Sequence, residues 1–121
     1  MAKYPFFPQG RSKYGNRRVG SHASKKEHYR AAQLNLMQRA GLISGLREQV
    51  PYLLIPAQYQ HGEDRKPQLL ERPCSYIADF VYVDNATGQT VVEDTKGFRT
   101  PEYIIKRKLM LHVHGIRIKE L

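Results

Sequence analysis

The segment CSYIADFVYV, residues 74–83, is joined to QTVVEDTK, residues 89–96, by DNATG, residues 84–88. Both flanking segments are rich in β-branched and aromatic residues, which are typical of strands. The Asp, Asn and Gly between them are typical of a tight turn. This part of the chain therefore predicts an antiparallel β-hairpin.

Charged side chains interrupt both strands of this hairpin. Because successive side chains point to opposite faces of a strand, Asp94 and Lys96 are expected on one face, roughly 7 Å apart. Glu93 and Thr95 are expected on the other face. Closure of the hairpin would bring Asp79, in the first strand, alongside Asp94. Two carboxylates and a lysine are thus predicted to meet at one place on a sheet.

Such a cluster has a chemical use. Two nearby carboxylates repel each other unless a cation lies between them. Mg²⁺, or the similar ion Mn²⁺, binds one or two protein carboxylates and fills its remaining positions with water and phosphate oxygens. A lysine beside the ion can orient water or stabilise charge developing on a phosphate. The alternative is a salt bridge between Lys96 and either Asp79 or Asp94.

A helix is predicted before the hairpin, within SHASKKEHYRAAQLNLMQRAG. Ser24 and Glu27 have the spacing of a capping box, and Gly41 can end the helix. Glu27 also shares one helical side with Ala31 and Leu34, which directs it along the apolar face. On helix geometry alone, completing the cap accounts for Glu27 and no further function is needed.

The remaining segments complete an α-β-β-β-α-β order. Residues 46–56 predict a strand, in which Pro51 indicates an edge position or a bulge. Residues 57–72 contain turn signals and predict an exposed loop or hairpin tip. A second helix is predicted over 101–112, because Thr-Pro-Glu is a typical helix start. IRIKEL, 116–121, predicts a short last strand.

Composition and charge narrow the class of protein. The chain has 121 residues, enough for one domain, and 20 Lys and Arg against 11 Asp and Glu, a net charge of +9. Such a charge favours a polyanionic partner, with nucleic acid as the first expectation. Apolar runs are short, so no membrane span is expected, and the start lacks the apolar region of a secretory signal. The single Cys74 is compatible with a reducing cytoplasm.

The cations are unevenly distributed. Residues 1–23 are basic and interleave aromatic residues with Gly and Pro, so we expect a flexible nucleic-acid-binding arm before a folded domain at 24–121. In the second helix, Ile105 and Leu109 are expected to pack on the sheet. The residues expected to contact nucleic-acid phosphates are Arg17, Arg18, Lys25, Lys26, Arg99, Lys106 and Lys108.

The hairpin residues also carry a resemblance to a known family. Asp79, about fifteen residues before Asp94-Thr95-Lys96 within α-β-β-β-α-β, resembles the PD-(D/E)xK nuclease superfamily. The words SKKEHYRAAQL, YIADFVY, VVEDTKGFRT and IKRKL resemble, more specifically, a small bacteriophage-associated family of that superfamily, which bears the name of a domain of unknown function. The resemblance covers most of residues 11–121. Ala78 stands where the superfamily pattern has its loosely kept proline.

The resemblance implies a fold and a set of site residues. It implies an α/β domain with a restriction-endonuclease-like core, a mixed sheet flanked by helices. It implies that Asp79 and Asp94 bind the metal, that Lys96 is catalytic, and that Glu27 is an additional ligand. Glu93 is a rival ligand, because a bulge in the strand would exchange its place with that of Asp94.

The expected function is a Mg²⁺-dependent DNA endonuclease. By analogy with phage members of the superfamily, branched or junction DNA is the expected substrate, a homodimer the expected assembly, and the cytoplasm of a bacterial host the expected location. The alternative is a non-catalytic basic protein that binds RNA or DNA. That alternative explains the charge but gives no reason for the two acids and the lysine to coincide.

Overall fold

The structure is a computed structural model that describes residues 24–121. The elements in chain order are α1 (Lys25–Arg39), β1 (Ile43–Ile55), β2 (Gln58–Gln60), β3 (Gln68–Glu71), β4 (Cys74–Asp84), β5 (Gln89–Asp94), α2 (Pro101–His114) and β6 (Lys119–Glu120). This order contains the predicted α-β-β-β-α-β arrangement, with the short hairpin β2–β3 inside the segment predicted as an exposed loop or hairpin tip. The α/β prediction is confirmed.

One mixed sheet organises the domain. Its strand order is β1-β4-β5-β6, in which β1, β4 and β5 are antiparallel neighbours and β6 runs parallel to β5. The predicted hairpin is thus formed by β4 and β5. β1 is an edge strand, which accommodates Pro51 because an edge position does not require every backbone donor.

Two apolar clusters attach the helices to opposite faces of the sheet. We call them the α1 cluster and the α2 cluster. The α1 cluster contains Ala31, Leu34, Ile43, Phe80 and Tyr82. The α2 cluster contains Leu54, Tyr76, Ala78, Val81, Val92, Tyr103, Met110 and Ile118. The domain is therefore a sheet between two helical layers, held mainly by burial of apolar surface.

The helix ends follow the predicted capping chemistry. Ser24 Oγ accepts a hydrogen bond of 3.2 Å from the Glu27 amide, and Thr100 Oγ1 accepts one of 3.1 Å from the Tyr103 amide. Gly115 ends α2 in a left-handed conformation, with φ of 67°, which glycine adopts without steric cost. In the part of the chain that the structure describes, neither helix has the length and apolar character needed to cross a bilayer.

Several predicted details were wrong. β1 begins at Ile43 rather than at residue 46, and β5 ends at Asp94 rather than at 96. Ile105 is 58% exposed instead of packing on the sheet. Tyr103 takes the inward position of α2, and two residues along a helix correspond to about 200°, so Ile105 lies on the opposite side.

Candidate active site

The two acids of the predicted cluster lie side by side on β4 and β5. Phe80 pairs with Glu93 in this antiparallel register, so Asp79 and Asp94 are the next residues on their strands. Asp94 is only 1% exposed, whereas Asp79 is half-buried. The hairpin geometry predicted from the turn therefore brings these two carboxylates together.

Thr95 anchors the carboxylate of Asp79. Its backbone amide and its hydroxyl each donate a hydrogen bond of 2.9 Å to Asp79 Oδ2. The alternation of a strand predicted that Thr95 would point away from the acids. That prediction was wrong because β5 ends at Asp94, and the alternation no longer governs the next residue.

Asp94 is held by neutral donors. The hydroxyl of Tyr76 donates to Oδ2 at 2.5 Å, and the amide of Lys96 donates to Oδ1 at 3.0 Å. Burial raises the pKa of Asp94 above its ordinary value, and the nearby charge of Asp79 adds to the rise. The Tyr76 hydrogen bond and the charge of Lys96 oppose this rise by lowering the pKa of Asp94. The ionised pair is thus under electrostatic strain that a bound cation would relieve.

The side chain of Lys96 is close to the pair without forming an ion pair with it. Its ammonium lies 5.6 Å from the ring centroid of Tyr103, within the range of a cation–π contact. Among residues 24–121, Lys96 forms no ion pair within 4.0 Å with Asp79 or Asp94. The salt-bridge alternative is therefore not formed, and the ammonium remains available to a substrate.

Glu93, the rival ligand, belongs to the opposite face of β5. Its carboxylate receives two hydrogen bonds from the Arg30 guanidinium, at 2.8 and 2.6 Å, and one from the hydroxyl of Tyr82. Glu93 is fully buried, and its hydrogen bond and charge raise the pKa of Arg30. A bidentate pair of this kind satisfies the carboxylate within the fold. Glu93 is therefore engaged by α1 and not by the cluster around Asp94.

Glu27 approaches the acids from α1 and is 4% exposed. Its Oε1 accepts a hydrogen bond of 3.0 Å from Gln49 Nε2, and the same nitrogen lies 3.5 Å from Asp79 Oδ1. Within residues 24–121, no three His, Cys, Asp or Glu side chains converge closely enough to hold a metal together. Gln49 stands between the two carboxylates, and direct metal ligation by Glu27 stays a prediction.

The donor set of Asp79 and Asp94 suits a hard divalent ion. Mg²⁺ commonly uses only one or two protein carboxylates and retains water in its other positions. Each carboxylate has about four lone-pair sites, and the hydrogen bonds to Asp79 and Asp94 occupy only part of them. The pair therefore fits Mg²⁺ or Mn²⁺ as a two-carboxylate site.

The predicted phosphate contacts have mixed surroundings. Arg17 and Arg18 lie outside the described residues. Lys26 donates a hydrogen bond to the backbone carbonyl of Leu121, and Lys25 is exposed. These four cations precede or begin α1, so their role in binding stays a prediction.

The cations predicted on and before α2 also differ from one another. Arg99 forms an ion pair of 2.9 Å with Glu120, and Lys108 is exposed. Lys106 forms an ion pair of 3.3 Å with Glu102, four residues earlier in the helix. Lys106 also lines, together with Lys96, a cavity of about 210 Å³ at the start of α2. Of these three cations, Lys106 has the position best suited to a phosphate near the acids.

Three residues of the site were missed by sequence reasoning: Tyr76, Thr95 and Gln49. Tyr76 resembles an ordinary core residue of β4, although a buried tyrosine hydroxyl needs a polar partner and thus carries a weak signal. Thr95 was assigned to the wrong face. Gln49 lies in a different strand, and nothing in its sequence surroundings connects it with the hairpin.

The fold and the site define a mixed α/β domain with a pair of carboxylates beside a lysine. The chain belongs to the family of proteins of unknown function DUF1064, whose model matches residues 11–119. The matched part includes both helices and both strands that carry the acids. No curated protein and no solved structure gives a significant match to the chain.

Proposed function

We propose that the protein is a Mg²⁺-dependent DNA endonuclease of the PD-(D/E)xK superfamily. The observation that carries this proposal is the pair Asp79 and Asp94, which is held by neutral donors beside Lys96 in a chain of net charge +9. Two acids in a basic protein weaken phosphate binding unless a cation bridges them to the substrate. The arrangement suits hydrolysis of a phosphodiester better than simple binding.

Each side chain has a definite part in this proposal. Asp79 and Asp94 would hold the ion, which when bound polarises the phosphodiester and lowers the pKa of an attacking water. Thr95 and Tyr76 keep the two carboxylates in fixed orientations. Lys96 stabilises the negative charge that develops on the phosphate. Its cation–π contact with Tyr103 holds the ammonium near the acids.

The substrate and setting are proposed by analogy with the superfamily. We propose branched or junction DNA as the preferred substrate and a homodimer as the active form. We also propose that the protein acts in the cytoplasm of a bacterial host and that it is encoded by a phage or prophage.

The direct test is a cleavage assay on four DNA substrates: a four-way junction, a nicked duplex, an intact duplex and a single strand. Each is incubated with the purified protein in Mg²⁺, Mn²⁺ or EDTA. We expect cleavage in either metal, fastest on the junction, and none in EDTA. Cleavage that persists in EDTA, or absence of cleavage on all four substrates, would reject the proposal.

A second candidate is a non-catalytic basic nucleic-acid-binding protein, which the charge of +9 favours. It predicts tight, salt-dependent binding of DNA or RNA, with no cleavage in the presence of Mg²⁺. Binding measured by fluorescence anisotropy in parallel with the cleavage assay separates the two candidates.

A further inference from the structure

Gln49, in the edge strand β1, has an unusual backbone. Among residues 24–121 it is the one residue other than glycine with a positive φ, 53°. The flanking pairs of β1 and β4 are Glu48 with Phe80 and Val50 with Ala78, so Gln49 lies opposite Asp79. Left-handed backbone at a residue with a side chain is unfavourable and persists only where the surrounding structure enforces it.

In both strands, the alternation of side chains between the two faces of the sheet is broken at this position. In β4, Ala78 packs in the α2 cluster, whereas Phe80, two residues later, packs in the α1 cluster. In β1, Leu46 packs against the α1 cluster, whereas Val50 packs against the α2 cluster. Residues two or four apart in a regular strand share one face, so the alternation is broken at Gln49 and Asp79. The left-handed residue lies at the point where the alternation breaks.

The side chain of Gln49 makes use of this position. Its single amide nitrogen contacts Glu27 Oε1 at 3.0 Å and Asp79 Oδ1 at 3.5 Å, although Gln49 itself is exposed. Thr95 already holds the other oxygen of Asp79 with two shorter hydrogen bonds. The carboxylate is thus oriented from both sides, and Oδ1 is the more weakly engaged oxygen.

The neutrality of this donor matters. An amide nitrogen orients a carboxylate without cancelling its charge, whereas a lysine at the same position would compete with a metal ion. The 3.5 Å separation is also long for a hydrogen bond, so a cation can bind Oδ1 without breaking a strong interaction.

We propose that Gln49 is a positioning residue of the candidate active site, and that Glu27 acts on Asp79 through it. Glu27 holds the side-chain amide of Gln49, and Gln49 restricts the orientation of the Asp79 carboxylate for a divalent ion. The inference rests on the proposed function for its activity readout, but metal binding can be measured without DNA. Substitution of a residue that orients metal ligands in this way typically lowers metal affinity or activity by about 10- to 100-fold.

The test compares Gln49→Gly with the wild-type protein. Glycine suits the left-handed backbone, so the fold is preserved while the amide is removed, and thermal melting checks that the variant is folded at the assay temperature. We expect Mn²⁺ affinity, measured by calorimetry without DNA, to fall about 10- to 100-fold. In the cleavage assay kcat falls at saturating DNA, whereas KM for DNA stays close to that of wild type. Gln60→Gly, in β2 and away from the acids, is the matched control and should change neither quantity.

Two further variants test the path from Glu27. Gln49→Asn tolerates the left-handed backbone and keeps the amide, but it is one methylene too short to span both carboxylates, so it should resemble Gln49→Gly. Glu27→Gln keeps an oxygen that accepts from Gln49, so it should weaken Mn²⁺ binding less than about tenfold, well below the effect of Asp79→Asn. If Glu27→Gln is as damaging as Asp79→Asn, Glu27 is a direct ligand and the inference is wrong.

The outcomes separate this inference from the proposed function. Equal Mn²⁺ affinity in Gln49→Gly and wild type overturns the role of Gln49 and leaves the nuclease proposal standing. A protein that cleaves no substrate, but loses Mn²⁺ affinity in Gln49→Gly, rejects the nuclease and supports the role of Gln49. A wild-type protein that binds no Mn²⁺ and cleaves no substrate overturns both.

Discussion

Glu93 and Asp94 are consecutive acids of β5, and both are almost fully buried. Glu93 faces α1, where the guanidinium of Arg30 and the hydroxyl of Tyr82 satisfy it. Asp94 belongs to the opposite face, where its contacts are a tyrosine hydroxyl and a backbone amide. The first charge is balanced within the fold, and the second is hydrogen-bonded but not neutralised.

This difference separates a structural acid from a candidate functional one. A buried carboxylate with a bidentate arginine needs no further cation, and removing either partner leaves an uncompensated charge. A buried carboxylate held only by neutral donors retains its attraction for a cation, especially with Asp79 beside it. Perturbed acids of this second kind occur preferentially at functional sites.

The largest expected effect is on cleavage in Asp94→Asn. The substitution keeps the shape of the side chain but removes a charge that would hold the ion, so cleavage in Mg²⁺ should fall about 10³-fold or more. Binding of DNA in EDTA, measured by anisotropy, should persist or tighten because a negative charge near phosphate is gone. Glu93→Gln is the control, and its cleavage per folded molecule should fall far less. A larger loss in Glu93→Gln would reverse the assignment of the two acids.

The structural side of the comparison is tested by Arg30→Met. Because Glu93 is fully buried, loss of its partner should lower the free energy of unfolding by about 3–5 kcal/mol in a urea titration. Arg99→Met is the matched control, since the Arg99 side chain is 57% exposed and its ion pair with Glu120 should contribute less than about 1 kcal/mol. Equal effects of the two substitutions would contradict a structural role for the Arg30–Glu93 pair.

Lys96→Ala separates catalysis from metal binding. The lysine is not a ligand, so we expect cleavage to fall about 10²- to 10³-fold while Mn²⁺ affinity, measured by calorimetry, stays close to that of wild type. Lys108→Ala, on the exposed side of α2, removes the same charge away from the acids. As a predicted phosphate contact it should weaken DNA binding, but it should retain most of the cleavage rate at saturating DNA. A large loss of Mn²⁺ affinity in Lys96→Ala would show that the lysine organises the carboxylates instead.

The raised pKa of Asp94 also predicts a dependence of stability on pH. The folded state favours the protonated carboxyl, so its contribution to stability falls as pH rises from the ordinary aspartate pKa through the raised one. A difference of one pH unit between the folded and unfolded pKa values corresponds to about 1.4 kcal/mol of stability. In EDTA, Asp94→Asn should therefore be more stable relative to wild type at pH 7 than at pH 3. The opposite trend in urea titrations would show that the Asp94 carboxylate is stabilised within the fold.

The smallest expected effect concerns residues 1–23, which lie outside the described part of the chain. If their cations neutralise duplex phosphates, their deletion should reduce the slope of log K against log salt by roughly 0.9 for each phosphate that is no longer neutralised. Anisotropy titrations at several salt concentrations measure this slope. An unchanged slope would restrict DNA binding to the folded domain, where Lys96 and Lys106 line one cavity.

The sequence by itself determined the α/β order, the β4–β5 hairpin and the caps of both helices. These features depend on residues close together in the chain. They are a turn of Asp, Asn and Gly, the alternation of side chains along each strand, Ser24 before α1 and Thr100 before α2. The same local reasoning predicted that Asp79 and Asp94 would be neighbours, because one tight turn fixes their register.

Only the tertiary structure decided which groups neutralise or hydrogen-bond each carboxylate. Arg30 reaches Glu93 from α1 across 63 positions of the chain, and Tyr76 reaches Asp94 across 18. Gln49 contacts Asp79 at the position where the side-chain alternation of β1 and β4 is broken and where the backbone of Gln49 is left-handed. Alternation within one strand cannot predict such contacts, since they depend on how separate elements pack and on where the regular geometry of a strand breaks.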